Sequence, residues 1–141
     1  MTAVEQGSYE KFLPEGIPSS QMPFWNSLRA HDIRVQRCDR CSTYRYHPKE
    51  MCPTCQSRAA TWAPLNGRGT IYTYTVVRRA PTAAYRSDLP YALVHATMEE
   101  GFRMAAGVAE LDINDLHIGM PVRIVYEDVT PEWSLFRFTS A

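Results

Sequence analysis

The chain has no long apolar run, no surplus of positive or negative charge, and no cysteine outside two short pairs. Because no stretch approaches the roughly 20 apolar residues that cross a bilayer, we expect no membrane-spanning helix and no membrane partner. Residues 1–7 also lack the positive start and apolar segment of a secretory signal. Together these absences favour a cytoplasmic protein.

The signatures of common catalytic machinery are missing as well. We find no pattern typical of a Ser-His-Asp triad and no glycine-flanked nucleophile. Every cysteine belongs to the two pairs, which leaves none as a covalent nucleophile. His95 falls in an apolar stretch, where a core or cross-strand position is more common than a catalytic role. We therefore expect no catalysis by this chain alone.

Length and composition are those of a globular protein, but charge is unevenly distributed. The 141 residues include 45% hydrophobic and 11% aromatic residues, enough for one ordinary domain with an appendage. Residues 1–79 hold 11 basic and 6 acidic side chains, whereas residues 80–141 hold 4 and 9. The acidic second part argues against a phosphate-coated polymer as the main partner.

The cysteines form two Cys-x-x-Cys pairs separated by ten residues. Each pair can place two thiolates on one side of a tetrahedral ion, and the connection lets the second pair close the other side. The spacing predicts one zinc ion per chain. Because sulfur would fill every position, the zinc is expected to organise the fold and not to bind water or substrate. The predicted ligands are Cys38, Cys41, Cys52 and Cys55.

Other interpretations of these cysteines remain open. Two disulfides would need a secreted chain. Iron in a rubredoxin-like site uses similar ligands, although a lone tetrathiolate ion without an evident electron partner is more often zinc. His47 lies five residues before Cys52 and could ligate, but four cysteines already complete a closed site.

Residues 1–30 are interpreted as an arm followed by a helix. Proline and glycine without a sustained period predict an extended arm over residues 1–19. Ser20 is placed to cap a short helix that runs to His31, in which Phe24, Trp25 and Leu28 form an apolar face. That face either packs inside the chain or contacts a partner subunit, because aromatic anchors are enriched at interfaces.

The sequence patterns predict two β units, one over residues 31–62 and one over residues 63–141. Alternation over 33–37 and 43–46 places strands before and after the first cysteine pair, as in a rubredoxin-like zinc ribbon. Five later β-rich segments predict an OB-fold barrel, with a helical turn at 111–119 between its third and fourth strands. The fold class is thus mainly β. The predicted barrel strands are 70–77, 91–98, 102–109, 121–129 and 134–139.

The order of these motifs resembles the zinc-ribbon OB-fold proteins once catalogued as domain-of-unknown-function family 35. The resemblance runs from about Phe24 to Phe138 and includes the Phe24-Trp25 helix and both cysteine pairs. Ser42, where the family often has glycine, and His47-Pro48, where it often has Pro-Pro, are departures that remove no zinc ligand. The further motifs are Trp62, Gly67-Arg68-Gly69-Thr70, Tyr72-Thr73-Tyr74-Thr75-Val76 and Ile118-Gly119-Met120-Pro121-Val122.

This resemblance implies an accessory subunit in acyl-CoA chemistry. Members of the family typically accompany a thiolase-like enzyme or an acyl-CoA hydratase. The complex would be a thiolase, a CoA-ester aldolase or an acyltransferase, and catalysis would belong to the partner. Because thiolase-like enzymes generally dimerise, the resemblance also implies a two-plus-two heterotetramer.

Such a subunit could also touch the acyl-CoA, whose phosphates call for arginine forks and whose adenine calls for an aromatic wall. Tyr72 and Tyr74 have a spacing of two and are expected on one face of the first barrel strand. The long loop 80–90 carries Tyr85 and Arg86 near its tip. Alternatively, the tyrosines only pack the barrel and the arginines are solvated. The candidate contacts are Arg68, Tyr72, Tyr74, Arg78, Arg79, Tyr85 and Arg86.

Two other functions compete with the accessory role. A nucleic-acid binding module would stack bases on Tyr72 and Tyr74, since zinc ribbons and OB barrels both occur in such proteins, but the acidic barrel half argues against it. An independent metalloenzyme would need an open metal position, which four cysteines do not provide.

Overall fold

A computed structural model describes residues 9–141 and contains two β-sheets with one α-helix packed against both. The first sheet carries the cysteines and the second forms a barrel. Short 3-10 turns lie at Ser19–Gln21, Ala83–Asp88 and Ile113–Asp115. In chain order the main elements are α1 (Met22–Arg29), β1 (Arg34–Cys38), β2 (Tyr44–Arg45), β3 (Ala60–Pro64), β4 (Arg68–Val77), β5 (Tyr91–Met98), β6 (Arg103–Gly107), β7 (Pro121–Asp128) and β8 (Ser134–Ser140).

The helix α1 begins and ends differently from the prediction. Ser20 lies in a 3-10 turn and does not cap the helix; Gln21 holds the N-cap position without a side-chain hydrogen bond. Pro23 fits the first turn, where its missing N–H would have no helical partner. The helix ends at Arg29, and His31 is left-handed with φ 55°. No helix within residues 9–141 has the length and apolar character needed to cross a membrane.

The apolar face of α1 packs into the core of this chain. Phe24 and Leu28 are 1% and 0% exposed, so of the two predicted alternatives packing inside the chain accounts for both side chains, and burial leaves neither accessible to a partner. Phe24 meets Tyr46 of the ribbon edge-on, with ring centroids 6.0 Å apart. Trp25 is half-buried and packs edge-on against Trp133 at 5.9 Å. These aromatic contacts tie the helix to both sheets.

The ribbon sheet has the strand order β2-β1-β3, and both neighbours of β1 run antiparallel to it. The strand β3 was not predicted. It pairs with β1 from Ala60 opposite Cys38 to Pro64 opposite Arg34. The predicted boundary between residues 62 and 63 falls inside this strand, so the ribbon sheet extends to Pro64.

The five predicted barrel strands are all present, and their ends move by at most two residues. Their order is β6-β5-β4-β7-β8. A parallel bridge between Val108 and Phe138 brings the outer strands together and nearly closes the barrel. The helical turn expected at 111–119 is reduced to Ile113–Asp115. This arrangement confirms the OB-fold.

A β-bulge in β4 changes which side chains share a face. The pairing of β4 with β5 skips one residue between Ile71 and Thr73, which leaves Tyr72 without a partner on β5. Tyr72 is 49% exposed, on the same side as Arg68 and Thr70, whereas Tyr74, beyond the bulge, packs against the core. The prediction that both tyrosines lie on one face is therefore wrong, because the extra residue reverses the alternation of the strand.

A small cluster on β7 connects the barrel to the ribbon. The Tyr126 hydroxyl accepts a hydrogen bond of 2.9 Å from the Ile33 N–H. The His31 ring stacks on Tyr126 with centroids 4.9 Å apart, and its Nε2 lies 2.8 Å from an Asp128 carboxylate oxygen. These directional contacts, added to the shared apolar core, hold the two sheets in one orientation.

Removing the Phe24 ring should destabilise the chain. We expect Phe24→Ala to lower the free energy of unfolding by about 3–5 kcal/mol, because it deletes a buried aromatic ring and leaves a cavity. Phe12→Ala is the matched control, since Phe12 is 70% exposed and its loss should change stability by less than about 0.5 kcal/mol. Urea unfolding with zinc present measures both variants. Equal effects would contradict the placement of α1 in the core.

Candidate metal centre and neighbouring surfaces

The four cysteine sulfurs converge at one end of the ribbon. Cys38 is the last residue of β1, Cys41 follows in the next turn, and Cys52 and Cys55 lie in the turn before β3. The Sγ atoms of Cys38 and Cys55 are 3.6 Å apart, and those of Cys41 and Cys52 are 3.5 Å apart. All four sulfurs lie within 4.8 Å of one another. The two pairs therefore face each other, as their spacing predicted.

These distances fit a tetrahedral ion and do not fit disulfides. A Zn–S bond of about 2.3 Å places the sulfurs of a tetrahedron roughly 3.8 Å apart. The separations of 3.5 and 3.6 Å are close to that value, whereas a disulfide would bring two sulfurs to about 2.05 Å. Because sulfur fills every ligand position, zinc here has no open site and holds the two turns together.

The two cysteine turns share one backbone geometry. The residue after the second cysteine of each turn is left-handed: Ser42 has φ 66° and Gln56 has φ 61°. The Ser42 N–H donates to the Cys38 carbonyl at 2.9 Å, and the Gln56 N–H donates to the Cys52 carbonyl at 3.0 Å. Glycine adopts this conformation without the steric cost that a side chain brings, so both positions favour glycine.

Backbone N–H groups also act on the thiols. Hydrogen bonds, foremost from the Cys41 N–H and then from the Arg40 N–H and neighbouring sulfurs, outweigh burial and lower the pKa of Cys38 to about 6. The Cys55 N–H is the largest of the contacts that lower the pKa of Cys52. The Ser57 N–H favours the thiolate of Cys55, but burial and the neighbouring sulfurs outweigh it and raise the pKa of Cys55 to about 11. A metal must therefore displace protons to bind, and its affinity falls as the pH falls.

Arg45 is a structural residue of the ribbon that sequence reasoning missed. Its side chain is 1% exposed, and its guanidinium donates to the carbonyls of Lys49 at 3.4 Å, Ser57 at 2.8 Å and Ala59 at 3.2 Å. These bonds hold the segment that carries the second cysteine pair. The buried positive charge also offsets part of the roughly two negative charges of a zinc tetrathiolate.

The histidines named from the sequence lie outside the metal cluster. His47 is exposed, and its ring stacks on Tyr46 with centroids 4.1 Å apart. The metal-binding cluster found in residues 9–141 consists of the cysteines and does not include His47. His95 is exposed on β5 opposite Thr73. Of the two positions expected for it, it therefore occupies the cross-strand position and not a core position.

The candidate acyl-CoA contacts do not form one site. Arg68 opens β4 and Arg78 follows its last residue, so the strand holds their Cα atoms roughly 30 Å apart. Arg78 and Arg79 instead lie beside the loop that carries Tyr85 and Arg86 in the turn Ala83–Asp88. Four of the predicted residues are therefore placed at one end of β4 and Arg68 at the other.

A groove of about 490 Å³ lies beside this loop, a volume typical of small-molecule sites. Tyr85 lines it from the loop, and Arg137 of β8, which donates a hydrogen bond to Glu127, lines it from the barrel. Residues 9–12 close one side: Lys11 Nζ is 2.5 Å from an Asp88 carboxylate oxygen. Sequence reasoning found Tyr85 but neither Arg137 nor Lys11, because the groove is built from segments far apart in the chain.

Replacing Ser42 with glycine should stabilise the ribbon. We expect Ser42→Gly to raise the free energy of unfolding by about 1 kcal/mol, because it removes the steric cost of a left-handed residue. Arg40→Gly, in the same turn but without a positive φ, should lower stability instead. Chemical unfolding at fixed zinc concentration compares them. Equal losses in the two variants would contradict the proposed turn geometry.

The proposed ligand set predicts the zinc content of the chain and its variants and the effect of pH on zinc binding. We expect one zinc per chain, loss of tight binding in Cys41→Ser, and full zinc content in His47→Ala. Acid should release the metal, because the thiolates must be protonated as it leaves. Elemental mass spectrometry across a pH series measures all three. Zinc retained by Cys41→Ser or lost by His47→Ala would show that the ligand set is wrong, and bound iron would identify the other metal.

Two family models match consecutive parts of this chain. The rubredoxin-like zinc ribbon domain of ChsH2 matches residues 25–60. The C-terminal OB-fold domain of ChsH2 matches residues 62–127. Both descriptions agree with the sheets seen here, and they confirm the predicted combination of zinc ribbon and barrel.

Relatives occur among archaeal and bacterial proteins. DUF35 domain-containing scaffold proteins match from Methanocaldococcus jannaschii, with 32% identity over 66% of this chain and 66% of that protein, and from Pyrococcus furiosus, with 30% identity over 78% and 80%. The 3-oxo-4,17-pregnadiene-20-carboxyl-CoA hydratase alpha subunit of Mycobacterium tuberculosis is 34% identical over 89% of this chain. The chain spans only 45% of that hydratase subunit.

A solved structure extends the similarity to three dimensions. A chain of an Ltp2-ChsH2(DUF35) aldolase matches with a TM-score of 0.77 and 27% identity, over 87% of this chain and 95% of the other. The tetrathiolate ribbon, the barrel and these matches agree with one another. The chain belongs to the DUF35 family, with a zinc ribbon and an OB-fold of the ChsH2 type.

Proposed function

We propose that this chain is a non-catalytic accessory subunit of a thiolase-type complex that acts on acyl-CoA substrates. The observation that carries the proposal is the likeness to a chain of the Ltp2-ChsH2(DUF35) aldolase, which extends over 95% of that chain. Relatives named as CoA hydratase subunits and as scaffold proteins add support. Both kinds of name describe proteins that act together with others.

The chemistry of the described residues is compatible with a supporting role. The four cysteines form one metal-binding cluster, which leaves none as a nucleophile and would leave no position on a bound ion open to water. The chain spans 45% and 37% of the two hydratase subunits, so the activity of those longer proteins is not carried over to it. Catalysis is assigned to the partner.

The proposed partner is a thiolase-like catalytic subunit in a cytoplasmic two-plus-two heterotetramer. Its reaction would be thiolytic cleavage, retro-aldol cleavage of a CoA-linked side chain, or acyl transfer. The aldolase name of the structural match favours the second. The zinc ribbon would contribute by holding α1 and the barrel in a fixed orientation for binding.

We extend the proposal to acyl-CoA contact at the loop end of β4. Arg78, Arg79 and Arg86 offer guanidinium groups for phosphates. Tyr85 offers an aromatic wall at the groove, whose volume of about 490 Å³ is large enough for an acyl or pantetheine group. Arg68 and Tyr74 are left out, because Arg68 lies at the far end of β4 and Tyr74 faces the core.

The nucleic-acid alternative loses part of its basis. Stacking of successive bases needs Tyr72 and Tyr74 on one face, and the bulge separates them. One side of the Tyr72 ring is also covered by Arg103, whose guanidinium carbon lies 3.5 Å from the ring centroid. Tyr72 and Tyr74 therefore do not form the pair of open stacking surfaces that nucleic-acid binding would require.

Native mass spectrometry of the tagged chain, purified from its own cells, tests the accessory role. We expect a thiolase-sized companion in equal number, one zinc per copy of this chain, and a total of two copies of each subunit. The complex should turn over an acyl-CoA and the isolated chain should not. A zinc-loaded chain that recovers no acyl-CoA enzyme would overturn the proposal.

The purified complex also tests the acyl-CoA contact. Tyr85→Ala and Arg86→Ala are expected to raise KM with little change in kcat, because these groups would bind substrate and transition state alike. Arg58→Ala, an exposed substitution on the ribbon, is the control. A KM that stays at the wild-type value in both variants would remove this part of the proposal.

A further inference from the structure

One exposed face of the barrel is not part of the metal centre, the groove or the core. It lies on the outer side of β4, β6 and β7, around the first half of β4. We call it the arginine face and define it as Arg68, Tyr72, Arg103 and Arg123, all of which are exposed. Sequence reasoning assigned Arg68 and Tyr72 to acyl-CoA and did not single out Arg103 or Arg123.

Strand pairing brings these residues together. Arg68 lies directly opposite Arg123 on β7, which sets their Cα atoms about 5 Å apart. Arg103 is on β6, two strands from β4, or about 10 Å across the sheet. Tyr72 lies on the same side by the regular alternation of β4 up to the bulge, and its ring packs under the Arg103 guanidinium. The face is thus assembled from three strands in the neighbourhood of one bulge.

The positive charge of this face has no ion-pair partner among residues 9–141. No carboxylate oxygen there lies within 4.0 Å of the guanidinium nitrogens of Arg68, Arg103 or Arg123. Glu99 shares a shallow hollow with Arg68, but its carboxylate accepts a hydrogen bond from Asn66. Like charges directly opposite each other on paired strands repel. An occupant that brings carboxylates would remove this repulsion.

Shape and composition favour a protein over a nucleotide as that occupant. The face is the outer surface of a sheet and not a cleft, and arginine and tyrosine are enriched at the energetic centres of protein interfaces. Arg103 covers one side of the Tyr72 ring and so removes one of its stacking surfaces.

We propose that the arginine face docks an acidic surface of the catalytic partner subunit. This inference rests on the proposed function and specifies where on the chain that partner binds. The main contact with the partner would therefore lie on the barrel and not on the apolar face of α1, whose central side chains are buried. The stacked pair Tyr72 and Arg103 forms the centre of the contact, and the unpaired arginines select an acidic surface and orient it.

Charge reversal in the purified complex tests the inference. We expect Arg68→Glu and Arg103→Glu each to raise the Kd for the catalytic subunit at least tenfold, and the wild-type Kd to rise with salt. Arg103→Lys keeps the charge and should weaken binding less. Arg58→Glu is the matched control: it makes the same charge change at an exposed ribbon residue and should leave Kd within twofold. Zinc content and urea unfolding establish that each variant is folded.

The outcomes separate this inference from the proposed function. If the wild-type chain binds a thiolase-like subunit and both reversal variants bind it equally well, the docking site is wrong and the accessory role stands. If the wild-type chain binds no such subunit, the proposed docking site and the proposed accessory role are both wrong. A titration with adenosine 3′,5′-bisphosphate tests the rival occupant. Binding of this probe that is lost in Arg103→Glu, with partner affinity unchanged, would identify a nucleotide site and overturn the inference.

Discussion

The ribbon depends on the convergence of four sulfur atoms within 4.8 Å. One of its strands, β2, has only two residues, and a unit this small buries too little apolar surface to fold by burial alone. A metal contributes folding free energy directly and offsets the strain of left-handed Ser42 and Gln56. Because Tyr126 links the ribbon to β7, metal binding in the ribbon also helps to fix the orientation of the barrel relative to the ribbon.

Local patterns in the sequence were sufficient to predict the metal ligands and most strands. The cysteine spacing predicted the sulfur cluster, and β-branched alternation located all five barrel strands. The spacing of Phe24 and Leu28 predicted a buried face but could not say what covers it. A partner's apolar surface and the chain's own core are chemically alike, so only the tertiary structure distinguishes them.

The features that were missed depend on residues distant in sequence. The strand β3 forms against β1, whose pairing residues lie more than twenty positions away. The bulge at Tyr72 is a property of the register between β4 and β5, and it changes the side on which every later residue of the strand lies. Arg45 is buried because carbonyls of a later segment surround it, which its own neighbours in sequence do not reveal.

The bridge between Val108 and Phe138 has a consequence for behaviour at high concentration. Unpaired strand edges recruit strands from other molecules and so promote aggregation. The barrel joins its two outer strands at this bridge, while the ribbon has a two-residue strand at one edge and Pro64, which lacks an N–H, at the end of the other. These features limit the backbone that can template a foreign strand, so association through the described residues depends more on side-chain chemistry.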